Sequence, residues 1–257
     1  MSMIRTISLS CLLAGASLAA VEPELRMGPT EAVVDSEFLS NYVYEGALRT
    51  DATTWHNSGR IRYFDFGAQI DVYTALESDR ARNLDSFDFV ETRLRADYLF
   101  EIEGIAQILP NIRYQYFPEW DDYIDEPLWL GVEGWYLLPV EGLELGGSVN
   151  YDAMDEHGWY ADFGMRQLLQ MAPLDLQAWQ LVTGGDSDYH RFTSGGDDSG
   201  LAALRLGAVA TMPLPWEDCY ATMRGELSYW LQDADRDAAP NNSEFTIGIG
   251  FEWRPEL

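Results

Sequence analysis

Val90-Glu91-Thr92-Arg93-Leu94-Arg95-Ala96-Asp97-Tyr98-Leu99-Phe100 decides how the chain is read. Positions 90, 92, 94, 96, 98 and 100 are small, apolar or aromatic, while 91, 93, 95 and 97 are all charged. A repeat of two puts each set on its own face of a β-strand, because successive side chains point to opposite sides. One face carries nothing but Arg, Asp and Glu, and the other ends in rings.

The same pattern recurs along the chain. Phe64, Phe66, Ala68, Ile70, Val72 and Thr74 alternate with Gly67, Gln69, Asp71 and Tyr73. Ile108, Ile112, Tyr114 and Tyr116 alternate with Gln107, Asn111, Arg113 and Gln115. Phe245, Ile247, Ile249, Phe251 and Trp253 alternate with Thr246, Gly248, Gly250 and Glu252. Twelve strands are predicted, at 33–45, 53–63, 66–75, 88–100, 105–117, 127–138, 143–152, 159–169, 174–184, 199–212, 219–232 and 244–253. Two read poorly. Both faces of 33–45 are mixed, and in 174–184 either Leu176 and Ala178 or Trp179 and Leu181 point outward.

Segments of about ten residues separated by turns are the signature of an antiparallel transmembrane β-barrel. The connections test this independently. Those at 64–65, 101–104, 139–142, 170–173 and 213–218 are tight, and those at 46–52, 76–87, 118–126, 153–158, 185–198 and 233–243 are mostly longer. Membrane barrels sort their loops in this way, with short turns on the periplasmic side. The fold class expected is therefore all-β, a barrel of about twelve strands with lipid outside and charge inside. Rings at the strand ends suit the two interfacial girdles.

The N-terminus supports export. Arg5 precedes a short apolar run from Ile7 to Leu18, and Ser17-Leu18-Ala19 offers small residues before a cleavage site. The expected organisation is a signal peptide at 1–19, a periplasmic segment at 20–32 and an outer-membrane barrel at 33–257. Ser8 occupies the place where a lipobox before Cys11 wants an aliphatic residue, so ordinary cleavage is expected and leaves Cys219 without an internal disulfide partner.

Charge narrows the function. The chain carries 16 cationic residues, every one an arginine, and a net charge of -27, which excludes a phosphate-reading nucleic-acid binder. Arginine stays charged in confined places and pairs in a fork with carboxylates. On the strand parity, Arg60, Arg62, Arg93, Arg95, Arg113, Arg166, Arg205 and Arg224 point inward, together with Asp71, Glu91, Asp97, Glu133, Glu144, Asp162 and Glu226. These fifteen are the expected pore lining. Fixed charges of both signs across water would orient polar solutes and set ion preference. The same residues, tightly paired, would instead plug a narrow barrel and serve only its stability.

Two stretches resemble known proteins. Thr246-Ile247-Gly248-Ile249-Gly250-Phe251-Glu252-Trp253 resembles the C-terminal β-signal that delivers outer-membrane barrels to their assembly machinery, although Arg254-Pro255-Glu256-Leu257 follows it. Ser40-Asn41-Tyr42-Val43-Tyr44-Glu45-Gly46 resembles the S-x-Y-x-x-R-G stretch on the first strand of a family of small porins, the TorF-like group, with Glu45 where that family carries Arg. The resemblance implies an outer-membrane barrel with channel activity and no assigned substrate. The partners expected are outer-membrane lipid and lipopolysaccharide, the assembly machinery, and small ions or solutes.

Other features carry less. The external loops are acidic at Asp79, Asp85, Glu119, Asp121, Asp122, Asp125, Glu126, Asp155, Glu156, Asp186, Asp188, Asp197, Asp198, Asp233, Asp235 and Asp237, which reads as a solvated surface or as attraction of cations to the pore mouth. Asp233, Asp235, Asp237 and Glu244 have calcium-loop spacing, but Ala238 stands where the turn glycine belongs and Pro240 interrupts. His56 and Ser58 have the His-x-Ser spacing of outer-membrane lipid hydrolases. Trp55, Ile61 and Tyr63 mark the odd positions as lipid-facing, which turns that pair inward. His157 and His190 lack ligand spacing, so no metal, cofactor or catalytic residue is expected. The rivals to a channel are a closed structural or adhesive barrel and a lipid-modifying hydrolase.

Overall fold

The computed structural model describes residues 30–44, 47–79, 84–118, 126–154, 158–194, 199–231 and 243–255. The leader, Cys11, and the acidic positions at 119–125, 155–156, 197–198 and 233–237, with His157, lie outside the described residues.

Twelve long strands form the wall: β1 (Thr30–Leu39), β4 (Thr54–Tyr63), β5 (Phe66–Ala75), β6 (Phe89–Tyr98), β8 (Ala106–Tyr116), β9 (Leu128–Leu137), β10 (Leu143–Asp152), β11 (Trp159–Met171), β12 (Leu174–Gly185), β13 (Gly200–Pro213), β14 (Cys219–Trp230) and β15 (Ser243–Trp253). Each pairs antiparallel with its successor in this series. β15 pairs back onto β1, with Phe38 opposite Ile249, and closes the ring. Closure leaves no sheet edge, which a bilayer requires because it offers no hydrogen-bond partners. A short strand β7 (Phe100–Ile102) extends the β6 arm against β8. β2 (Tyr42–Tyr44) and β3 (Ala47–Thr50) form a separate hairpin, and α1 (Ser187–Ser194) is a single helix between β12 and β13.

The described termini and the tight turns share one end of the barrel, the turn end; the long connections share the other, the loop end. At the turn end Gly142 takes φ 66°, and a Cβ there would lie 2.1 Å from the Leu168 carbonyl oxygen, so the connection from β9 to β10 needs glycine.

The polarity is inside-out. Leu94 and Ile249 are 47% and 60% exposed on the outer wall, while Arg93 and Arg95, on either side of Leu94, are 4% and 8% exposed within. Rings band the wall at both ends. Tyr98 meets both Phe66 and Phe100 at the turn end, and Phe38 stacks on Trp55 at the loop end. The exterior is a hydrocarbon-facing surface between two girdles, as a transmembrane barrel demands. Leu94 sits mid-strand between Ile70 and Tyr114 on that surface. Leu94→Arg is expected to destabilise the barrel by about 2–4 kcal/mol, measured by urea unfolding in lipid vesicles. A change near zero would place this position outside the hydrocarbon.

Three expectations are corrected. The first strand was expected to run through 45, but β1 stops at Leu39. Ser40 and Asn41 bend the chain inward and hold it with side chains: Ser40 Oγ accepts from the Ile247 N–H at 3.0 Å, Asn41 Nδ2 donates to Glu244 at 2.7 Å, and Thr246 Oγ1 donates to Asn41 at 2.6 Å. The mixed faces of 33–45 are the trace of that bend, and Tyr42 is buried inside rather than set in the wall. Secondly, Val90 was expected on the lipid face. A register shift between Tyr73 and Thr74 turns it into the interior cluster of Leu39, Tyr42, Tyr73, Leu84 and Phe117. Thirdly, 185–198 was expected to be loop throughout, yet it contains α1. In β12 the open choice resolves with Trp179 and Leu181 fully buried inside, which leaves Leu176 and Ala178 on the outer face. Trp179 fills the space that Gly207 leaves on β13.

Candidate functional site

Every one of the fifteen charged residues expected inside points inward, and most are buried. The wall places them by parity, since adjacent strands in register present facing residues on the same side. Near the turn end, Asp97 takes Arg62 at 2.5 Å and Arg95 at 3.3 Å. Arg95 continues to Glu133 at 3.1 Å, and Glu133 accepts from the Trp135 indole at 2.7 Å. The Arg62–Asp97 contact crosses β5 over Gly67, where a Cβ would lie 2.6 Å from Asp97 Oδ1. Arg166 pairs with Glu144, with its guanidinium 4.2 Å over the Trp135 ring. Arg205 pairs with Glu226 at 2.9 Å and Arg60 with Glu31 at 3.1 Å. These charge-assisted pairs hold long side chains in place.

Nearer the loop end the acceptors become aromatic. Arg93 reaches the Tyr73 hydroxyl and lies 3.2 Å from Glu91, which also accepts from Tyr42 at 2.8 Å and from Gln115 at 3.0 Å. Arg113 donates to the Tyr160 hydroxyl. Asp162 accepts from Thr183 at 2.6 Å and from Ser148 at 3.2 Å.

The His56 neighbourhood lies in the β1–β4–β5 sector. His56 Nε2 is 3.2 Å from Asp71, and its Nδ1 is 3.7 Å from Asp35 and 3.9 Å from Glu37. Its ring stacks on Tyr73 at 4.4 Å, and Tyr73 stacks in turn on Tyr42 at 4.0 Å. Ser58 donates to Asp35. The His-x-Ser pair therefore faces the interior as the parity predicted, and the serine hydroxyl is committed to a carboxylate instead of to His56. A lipid hydrolase finds no base–nucleophile contact here.

At the loop end the chain adds a helix that the sequence reading missed. Asp186 caps α1, accepting from the Tyr189 N–H at 3.0 Å. The helix then folds into the barrel mouth, where Tyr189 and His190 are 0% exposed. Tyr189 stacks on Tyr160 at 5.0 Å, while Phe192 meets Trp129 at 6.2 Å and Phe117 at 6.3 Å. Asp186-Ser187 before a Tyr-x-x-Phe pair was the available signal: a cap residue followed by apolar positions on one helix face. Asp79, expected on a solvated loop, is buried and accepts from Thr50 at 2.9 Å. His190 Nε2 lies 3.2 Å from the Gly200 carbonyl. Among the described residues no group of three or more His, Cys, Asp or Glu is arranged to hold a metal.

The interior is thus uneven. One sector, lined by Leu109, Trp135, Trp179 and Leu181, is dry. The opposite sector, where β14, β15, β1 and β4 approach the turn end, is wet: Asp35 and Arg224 keep side chains 29% exposed although they face inward.

No protein-family model matches the sequence, and neither does any curated protein. Solved structures share the fold. The NanC porin superposes with a TM-score of 0.55 at 10% identity, covering 88% of this chain and 100% of the porin. The translocator domain of the autotransporter NalP from Neisseria meningitidis gives 0.53 at 10% identity over 90% of each chain. An outer membrane channel from Pseudomonas putida F1 gives 0.52 at 9% identity, covering 89% of this chain and 97% of that one. At such identities the likeness is one of fold: the closed antiparallel barrel of outer-membrane proteins.

Proposed function

We propose that this transmembrane barrel is a narrow, porin-like channel of the outer membrane that passes small ions or polar solutes by diffusion. After export through the inner membrane, its apolar belt meets outer-membrane lipid and lipopolysaccharide, and its last strand addresses the assembly machinery. The resemblance of residues 40–46 to the TorF-like small porins agrees with this reading, as does the fold shared with the NanC porin and the Pseudomonas channel.

One observation carries it. The interior ion pairs run along the wall: Arg62–Asp97, Arg95–Glu133 and Arg224–Glu37 each join strands two steps apart around the ring, and Arg166–Glu144, Arg205–Glu226 and Arg60–Glu31 join neighbours. Side chains tied to the wall leave the axis to something else. Twelve strands lie between the eight whose side chains fill a barrel and the sixteen that leave an aqueous channel, so a constricted path is the geometry to expect. Acidic mouth residues favour cations, and eight inward arginines temper that preference.

A closed barrel is the second reading, and the burial of α1 favours it. Planar-bilayer recording separates the two. Purified protein is expected to give small, discrete conductance steps. A protein that inserts and stays electrically silent under all voltages would establish the closed barrel instead.

A further inference from the structure

The wet sector near the turn end contains two side chains that the wall network leaves unfinished. The one ion pair of Arg224 on β14 among the described residues is Nε to Glu37 Oε1 at 3.3 Å. Its side chain is 29% exposed, and the two terminal nitrogens of a guanidinium are the pair that grips a carboxylate in a fork. Asp35 on β1 is as exposed, at 29%, and only one of its oxygens accepts a hydrogen bond, from Ser58. Its other oxygen lies 3.7 Å from His56 Nδ1 and is open to a further donor. Between these strands runs β15, whose inward side carries Thr246, Gly248, Gly250 and Glu252, the last in register with Asp35. The Glu37 carboxylate lies over Gly248, where a Cβ would fall 2.3 Å from Oε1, and this is how Glu37 reaches across β15 to Arg224.

We propose that Arg224 and Asp35 form a binding site for small zwitterions of the α-amino-acid type, the arginine fork taking the carboxylate and Asp35 the ammonium. Arg224 is anchored at Glu37, and Asp35 stands two residues along the same strand, so roughly 7 Å separates the anchors. An ammonium and a carboxylate on one carbon, with a hydrogen bond at each end, fill that span. An anion alone leaves Asp35 unmatched and meets its repulsion; a cation alone meets Arg224. The site rests on the channel reading for its biological use, since it names the solute that the interior would hold.

The test is calorimetry of the full-length barrel in detergent, with L-alanine as probe and acetate and ethylammonium as half-ligands. L-Alanine is expected to bind, with each half-ligand weaker by about tenfold or more. Arg224→Gln and Asp35→Asn are each expected to lose L-alanine by a similar factor, while acetate binding to Asp35→Asn persists and shows that the variant is folded. Failure of L-alanine to bind, acetate matching it, or unchanged affinity in either variant would overturn the site. Because no current is measured, a barrel that is silent in bilayers but still binds L-alanine retires the channel and keeps the site.

Discussion

Asp97→Ala is expected to lower the unfolding free energy of the barrel by about 3–5 kcal/mol, read from urea denaturation in vesicles by tryptophan fluorescence. The carboxylate serves two arginines, Arg62 at 2.5 Å and Arg95 at 3.3 Å, and its side chain is nearly inaccessible to water. Removing it strands guanidinium groups that cannot shed their charge, in a place where water does not reach to solvate them. Asp97→Asn, which keeps hydrogen-bonding atoms and loses the charge, should fall between wild type and the alanine variant. The magnitude also reports on the interior. An ion pair bathed in pore water contributes only about 0–1 kcal/mol, so a loss that small would mean that the turn-end network sits in an open lumen and not in a packed wall.

The wall was readable in the sequence because both of its faces are selected. A lipid face excludes charge and an interior face of this size collects it, so alternation at Leu94, Arg95 and Ala96 is unambiguous, and eleven of the twelve long strands lie within a few residues of their predicted bounds. The exceptions have physical causes. At Ser40 and Asn41 the chain leaves the wall while its side chains go on satisfying β15, and no period reports such a change of partner. In β12, apolar residues occupy both faces, because Trp179 and Leu181 fill the interior where Gly207 leaves room; facing is then set by the neighbouring strand and not by the segment itself. Parity gave the direction of all fifteen charged side chains but not how far they reach. That Arg224 stays 29% exposed while Arg95 is packed against Glu133 and Asp97 depends on the partners that neighbouring strands supply, which the segment's own period does not report. α1 was hidden for a related reason: eight residues are too few to show a helical period, and only the cap at Asp186 hinted at it.

Replacing residues 187–194 by a short Gly-Ser linker is expected to raise single-channel conductance severalfold, with little change in barrel stability. The helix contributes nothing to the wall ladder, where β12 already pairs with β13 from Asp175 to Gly185. What it supplies is a stopper. Tyr189 lies flat on Tyr160, whose hydroxyl is held by Arg113, and Phe192 bridges Trp129 and Phe117. Those rings span β8, β9 and β11, so the helix rests on a shelf built from a quarter of the wall. Aromatic contacts of this kind contribute about 0.5–1.5 kcal/mol each beyond burial, enough together to keep the helix docked most of the time and little enough to let it lift. Tyr189→Ala with Phe192→Ala should therefore produce intermediate behaviour: the basal conductance with more frequent visits to the larger one. If excision leaves the conductance unchanged, the limiting constriction lies deeper, at the dry sector around Trp135 and Trp179, and α1 is only a lid on a passage already narrow below it.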